Sequence, residues 1–223
     1  MNIYNFIESN INKNSIFFEI GSHFGSDTQK FSKITNKLHC FEPDPRNIKI
    51  FKHLNSNVQL NEFAISDKDG VSQFFLSSGN VYESMYGPTE NELINQNDWS
   101  ASSSLISPKN HFKKTPWVKF DNTIEVKTKR LDTYCIENDI NNIDFLWMDV
   151  QGAELSVIKS MGAFKDKIHY IYTEYSNEEL YENQGTKEQI IELLGNSWKV
   201  LCDFGGDILL ENQNYDINYN TSI

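Results

Sequence analysis

Short apolar runs alternate with helix-like stretches along most of this chain, and several of the runs stop at a glycine or an acidic residue. Residues 15–20 (SIFFEI), 37–41 (KLHCF), 58–65, 142–150 and 167–175 read as strands, because they are short, apolar and bounded by turn formers. Residues 27–32, 45–54, 153–161 and 186–194 read as helices, with Pro45 in a first turn and Gly195 as a C-cap. Strands that alternate with helices need crossover connections, which make the sheet parallel and cover both of its faces. Residues 198–203 and 208–211, joined through Gly205 and Gly206, read as a closing hairpin that gives the sheet an antiparallel last strand. The expected fold is therefore α/β: a mostly parallel sheet with helices on both faces.

The rhythm breaks once. Residues 71–76 and 123–128 look like strands, and roughly 45 mostly polar residues separate them, too many for a structureless connection inside a compact domain. One domain over residues 1–223 is expected, with residues 77–122 as a lid or substrate-recognition insertion between the third and fourth strands of the alternation. Tyr82, Tyr86, Trp99 and Trp117 in that insertion have the flat apolar faces that stack on a sugar ring, or that pack and oligomerise. A helix over residues 131–138 leads back into the sheet.

Charge narrows the function classes. The chain has 20 Lys and Arg against 31 Asp and Glu, a net of −11. Nucleic acids and anionic membranes both recruit cationic faces, so neither is an expected partner. His111, Lys113 and Lys114 are the sole hint of a basic patch. Cys40, Cys135 and Cys202 are an odd, scattered set, which suits small core residues in a reducing compartment rather than disulfides or a metal knuckle. No apolar stretch approaches the roughly 18 residues of a membrane span, and residues 1–14 lack a basic-then-apolar leader pattern. A cytoplasmic protein is expected.

In open α/β sheets, ligands bind beyond the carboxyl ends of the strands. The first strand ends in Glu19-Ile20-Gly21-Ser22-His23-Phe24-Gly25, where glycines let backbone approach a ligand ahead of a helix N-terminus, or simply make a tight turn. The second ends in Phe41-Glu42-Pro43-Asp44-Pro45; Glu42 stands about 20 residues beyond the glycine turn, the usual separation of an acid that binds ribose hydroxyls. Ala64, Ile65 and Ser66 close the third strand with an apolar edge fit for adenine. The fourth ends in Asp149-Val150-Gln151-Gly152-Ala153-Glu154 and the fifth in Glu174-Tyr175, so acids crowd one rim.

EIGSHFGSDT (19–28), FEPDPRN (41–47), AISDKDG (64–70), SSSL (102–105), KTKRLDTY (127–134), IDFLWMDVQGAEL (143–155) and YTEY (172–175) together resemble, in order and spacing, the FkbM-type methyltransferases. These are a branch of the class I S-adenosylmethionine-dependent enzymes. The resemblance implies a Rossmann-like seven-stranded sheet and S-adenosyl-L-methionine as cofactor. It implies that Glu19, Gly21, Ser22, His23 and Gly25 surround the methionine part. Glu42 and Pro43 would hold the ribose, Ile65 and Ser66 the adenine, and Asp149 would lie near the ammonium and the methyl group. Asp usually stands at position 19 in the family and Asn at 23, and Gln151 occupies a position that is usually Glu.

The expected chemistry is O-methylation of a sugar, glycan or small natural product, with Asp149, Glu154, Glu174 and His23 as candidate bases and His111 as a remote one. No metal ligand set is expected, and a homo-oligomer is compatible with the sequence. The alternatives are a cofactor-binding sensor or partner subunit without transfer activity, for which Gln151 speaks, and a nicotinamide oxidoreductase, against which the absent G-x-G-x-x-G speaks.

Overall fold

A computed structural model of the chain describes residues 1–79 and 99–215. Seven strands form the main sheet: β1 (Ile16–Ile20), β2 (Lys37–Phe41), β3 (Leu60–Asn61), β7 (Ile143–Met148), β8 (Ile168–Glu174), β9 (Trp198–Asp203) and β10 (Asp207–Asn212), in the order β3-β2-β1-β7-β8-β10-β9. Neighbours from β3 to β8 are parallel, whereas β10 runs antiparallel to both β8 and β9. The last strand of the chain thus inserts beside β8 and leaves β9 at the edge. This is the seven-stranded, mostly parallel α/β sheet that the alternation requires.

The third strand differs from expectation. Residues 58–65 do not run on as one strand: Leu60–Asn61 pairs with β2, and β4 (Ala64–Ile65) leaves to pair with β6 (Lys119–Lys129). Strand β5 (Gly70–Ser78) lies antiparallel to β6, completing a three-stranded second sheet, β4-β6-β5. The break falls at Glu62-Phe63, where the chain exchanges one set of ladder partners for another.

Helices α1 (Ile3–Asn10), α2 (Thr28–Ile34), α3 (Pro45–Leu54), α4 (His111–Lys114), α5 (Leu131–Glu137), α6 (Glu154–Ser160) and α7 (Lys187–Leu194) connect and cover the strands. Consecutive strand side chains point to opposite faces, so a sheet covered on both sides needs unbroken apolar runs. In β1, Phe17 enters one core with Ile7, Phe31, Phe145 and Leu209, while Phe18 enters the other with Leu146, Met148, Val157 and Ile190. Each such side chain, once buried, contributes about 1.5–3 kcal/mol. The sequence reading assigned no element to residues 1–14, yet α1 seals the first core with Ile3 and Ile7, and the Asn2 side chain caps it through the Tyr4 and Asn5 amides. Pro45 opens α3 and Gly195 caps the end of α7 as expected, while the Thr186 and Gln189 capping box on α7 and the short helix α4 were not read from the sequence.

Within the expected insertion, Trp99 and Trp117 meet edge to face at 4.9 Å, while Tyr82 and Tyr86 lie outside the described residues. Of the three residues that hinted at a basic patch, Lys113 is exposed. His111 is buried against Phe120 and Tyr181, and Lys114 pairs with Glu178. Among the described residues no helix is long and apolar enough to cross a membrane. All three cysteines are free thiols, with Cys40 and Cys135 buried.

Candidate active site

The turn after β1 is built by contact with two neighbouring strands. Gly21 and Ser22 both donate their amides to the Phe41 carbonyl at 3.0 Å, and the Asp149 amide donates to the Ile20 carbonyl at 3.0 Å. Gly21 has φ +87°, and a Cβ there would lie 1.8 Å from the Asp149 carbonyl oxygen, so no side chain fits. That close approach brings the end of β7 against the turn. Gly25, at φ +78°, answers a different demand. Its Cβ would strike the Asn55 amide and the Phe51 ring of the α3 segment, and Gly25 is absent from the cavity wall.

Beyond the ends of β1, β2 and β7 lies a cavity of about 230 Å³. Glu19, Gly21, Ser22, His23, Glu42, Pro43, Ile65 and Asp149 line it, as the strand-end reading places them. Ala64, Ile65, Phe41 and Phe74 give it an apolar end. Ser66 is not in the wall; its amide is bonded to the Lys129 carbonyl.

Glu19 is 2% exposed and accepts from the Thr28 hydroxyl at 2.5 Å and from the Cys40 thiol. Burial pushes its carboxyl up to about 8. Glu42 is equally enclosed: Oε1 accepts from the Asp44 amide at 2.8 Å and the Asn47 side chain at 3.2 Å, and Oε2 from the His23 amide at 2.9 Å. Burial outweighs these donors and raises Glu42 to about 7. His23 packs its ring on Phe24 and bonds Ser100 Oγ through Nε2 at 2.9 Å, while burial lowers it to about 4, so its imidazole is neutral at pH 7. Asn47 lines the cavity, and its buried Oδ1 has no hydrogen-bond partner. A buried acceptor without a donor is costly, and a hydroxyl of a molecule in the cavity would satisfy it.

The acidic rim is organised by Gln151. Its Nε2 donates to Asp149 Oδ1 at 2.7 Å and to Glu174 Oε2 at 3.2 Å, and its Oε1 accepts from the Tyr181 hydroxyl at 3.3 Å. Asp149 and Glu174 also meet each other through a hydrogen bond, and burial raises both carboxyls. Glu154 stands behind them, 1% exposed, accepting from the Gly152 amide at 3.2 Å, and burial raises it to about 7. Glu154 and Glu174 are not in the cavity wall, whereas Asp149 and Gln151 are. His111 is remote from it, bonded to Thr115.

A clip closes the cavity from the side of the serine segment. Arg46 forks onto Asp44 and also reaches the Ser77 carbonyl and Ser103 Oγ, while Ser104 Oγ donates to the Gln151 carbonyl at 2.7 Å. FEPDPRN and SSSL, distant in sequence, are thereby joined.

The family model described as the Methyltransferase FkbM domain matches residues 19–216. The chain belongs to the FkbM methyltransferase family. A curated relative, the 2-O-methyltransferase NoeI of Sinorhizobium fredii, is 38% identical over 206 residues, which is 88% of this chain and 79% of that protein. The crystal structure of a methyltransferase FkbM from Methylobacillus flagellatus superposes with a TM-score of 0.50 at 11% identity, over 90% of this chain and 44% of that longer one. FkbM methyltransferases take their methyl group from S-adenosyl-L-methionine, which is therefore the cofactor here.

Several wall residues escaped the sequence reading: Ser26, Asp27, Asn47, Phe74, Ser100, Ser103, Leu105 and Trp147. Ser26, Asp27, Asn47, Ser103, Leu105 and Trp147 all stood in motifs quoted for the resemblance, and Asn47 also stood close to Glu42, but none was assigned to the site. Phe74, Ser100, Ser103 and Leu105 come from the second sheet and the segment beyond it, whose docking has no local signal.

Proposed function

We propose that this FkbM methyltransferase transfers the methyl group to a hydroxyl oxygen of a saccharide or a small hydroxylated natural product. The observation that carries this reading is the Asp149–Gln151–Glu174 rim. Asp149 stands in the cavity wall with Glu174 joined to it from behind, and no Lys, Arg or His is hydrogen-bonded to either among the described residues. Carboxylates accept hydrogen bonds from sugar hydroxyls, and a hydroxyl nucleophile needs an acceptor for its proton as it attacks. The name of the 38% identical relative, a 2-O-methyltransferase, supports the same reading.

The wall residues fit the cofactor. Glu42 and the unpartnered Asn47 Oδ1 suit ribose hydroxyls, and Ala64, Ile65 and Phe74 suit a flat apolar base. The glycine turn and Asp149 suit the charged methionine end. When bound, S-adenosyl-L-methionine supplies an electrophilic methyl group on a sulfonium. The protein then has to orient one acceptor oxygen and receive its proton, and alignment alone can account for about 7–11 kcal/mol of barrier lowering. The net charge of −11 favours a neutral or polyhydroxylated acceptor over a nucleic acid.

The test is incubation with methyl-labelled cofactor and a panel of mono- and oligosaccharides and hydroxylated small molecules, followed by mass spectrometry. Label in an ether methyl on at least one acceptor class is expected. Transfer confined to nitrogen acceptors or to RNA would overturn the proposal.

A further inference from the structure

We propose that Gln151 is a positioning residue that clamps Asp149 and Glu174 into a pair sharing one proton, and that the pair gives up this proton when a sulfonium cofactor occupies the cavity.

The geometry carries this. Gln151 has φ +53°, unusual for a residue with a side chain, and it is held there from two sides: Ser104 Oγ binds its carbonyl and the Tyr181 hydroxyl binds Oε1. Tyr181 is itself fixed, 1% exposed and donating to the Ser102 carbonyl at 2.8 Å. Nε2 is the side of the amide that faces the acids, and it reaches both, while the single Tyr181 proton goes chiefly to the Ser102 carbonyl at 2.8 Å and is shared with Oε1 at 3.3 Å. A carboxylate at position 151 would add a third negative charge there; the amide adds a donor instead.

Among the described residues, no cation is hydrogen-bonded to either acid of the pair. Glu154 on α6, Asp207 on β10 and Asp27 before α2 face the pair with negative or neutral carboxyls, and Tyr172 and Tyr181 face it with hydroxyls. Lys30 pairs with Asp27 and not with Asp149 or Glu174. Two half-buried carboxyls joined by a hydrogen bond retain a proton between them, and their titration belongs to the pair.

Among the cavity-lining carboxyls, Glu19, Glu42 and Asp27 each have two or more donors that keep their protons at pH 7, whereas Asp149 has the Gln151 amide and, besides it, the titratable proton it shares with Glu174. Asp149 is therefore the wall carboxyl with capacity left for a cation. S-adenosylmethionine carries one more positive charge than S-adenosylhomocysteine, so only the former should discharge the pair. This step rests on the proposed transfer to a hydroxyl. The acceptor oxygen forms a bond to the methyl carbon, the carbon–sulfur bond breaks with its electrons staying on sulfur, and the hydroxyl proton passes to the emptied pair.

Calorimetry in two buffers of different ionisation enthalpy counts the protons. Wild type at pH 7 is expected to release about one proton on binding S-adenosylmethionine and markedly fewer with S-adenosylhomocysteine. Glu174→Gln, close in shape, is expected to abolish that difference. Gln151→Leu is expected to move the pH at which S-adenosylmethionine affinity levels off upward by about one unit, because the ionised pair loses its donor. Equal proton counts for the two ligands in wild type, or an unchanged difference in Glu174→Gln that binds both, would overturn this inference while leaving the proposed function standing. Failure of wild type to bind either ligand would overturn both.

Discussion

Gly21 sits where three chain segments meet, with φ +87° and 1.8 Å between an added Cβ and the Asp149 carbonyl oxygen. Substitution there strikes backbone, which cannot yield as a side chain can. Gly21→Val is expected to lose more than about 3 kcal/mol of stability, besides losing cofactor binding, because strain and clash add; urea unfolding with the ligand absent checks this. Asn47 makes a milder test. Removing its orphaned acceptor with Asn47→Ala should weaken S-adenosylmethionine binding by about 1 kcal/mol, the net worth of one hydrogen bond, read by calorimetry. The sequence alone showed why Glu42 could hold a ribose, since an acid after a strand and at the right remove from a glycine turn is a local pattern. It did not show Asn47 as an unpartnered acceptor, or Gln151 as a clamp. Those roles depend on where Ser104 and Tyr181 arrive from distant parts of the chain.

Elements set the same limit at a larger spacing. The main sheet was legible because both faces of its strands are covered, so that each strand had to be an unbroken apolar run. The break at Glu62-Phe63 was not, because what splits residues 58–65 is the choice between β2 and β6 as partner, and β6 lies far along the chain. The clip between α3 and the serine segment was illegible for the same reason. Asp44 is fully enclosed and Arg46 is its counter-ion, fixed also by Ser77 and Ser103. Removing one partner of an enclosed ion pair strands the other, so Arg46→Met should cost about 3 kcal/mol. It should also quicken hydrogen exchange in the Ser100–Ser104 region, which Arg46 ties to α3. Unchanged exchange there would mean that the segment is held by β5 alone.

The molecule as a whole carries more enclosed carboxyls than its sheet requires, and this has a pH signature. Burial raises Glu19, Glu42 and Glu154 from 4.5 to about 8, about 7 and about 7. A raised carboxyl binds more protons folded than unfolded between its two values, so its contribution to stability is full at low pH and is lost as pH rises through the folded value. His23 works the other way, since its value falls from 6.5 to about 4 and its contribution grows with pH up to about 6.5. The two trends oppose below pH 6.5 and only the carboxyls remain above it. The melting temperature of the ligand-free protein is therefore expected to fall between about pH 6.5 and pH 8, by scanning fluorimetry; a rise over that interval would contradict these assignments. The central claim is that the cavity beyond β1, β2 and β7 binds S-adenosyl-L-methionine, and the affinity of Glu42→Ala tests it most directly. Circular dichroism matching wild type would establish that the variant is folded. The expected result is a loss of about 1–3 kcal/mol in calorimetric binding, the scale of charge-assisted hydrogen bonds to enclosed hydroxyls. An unchanged affinity in the folded variant would place the cofactor elsewhere.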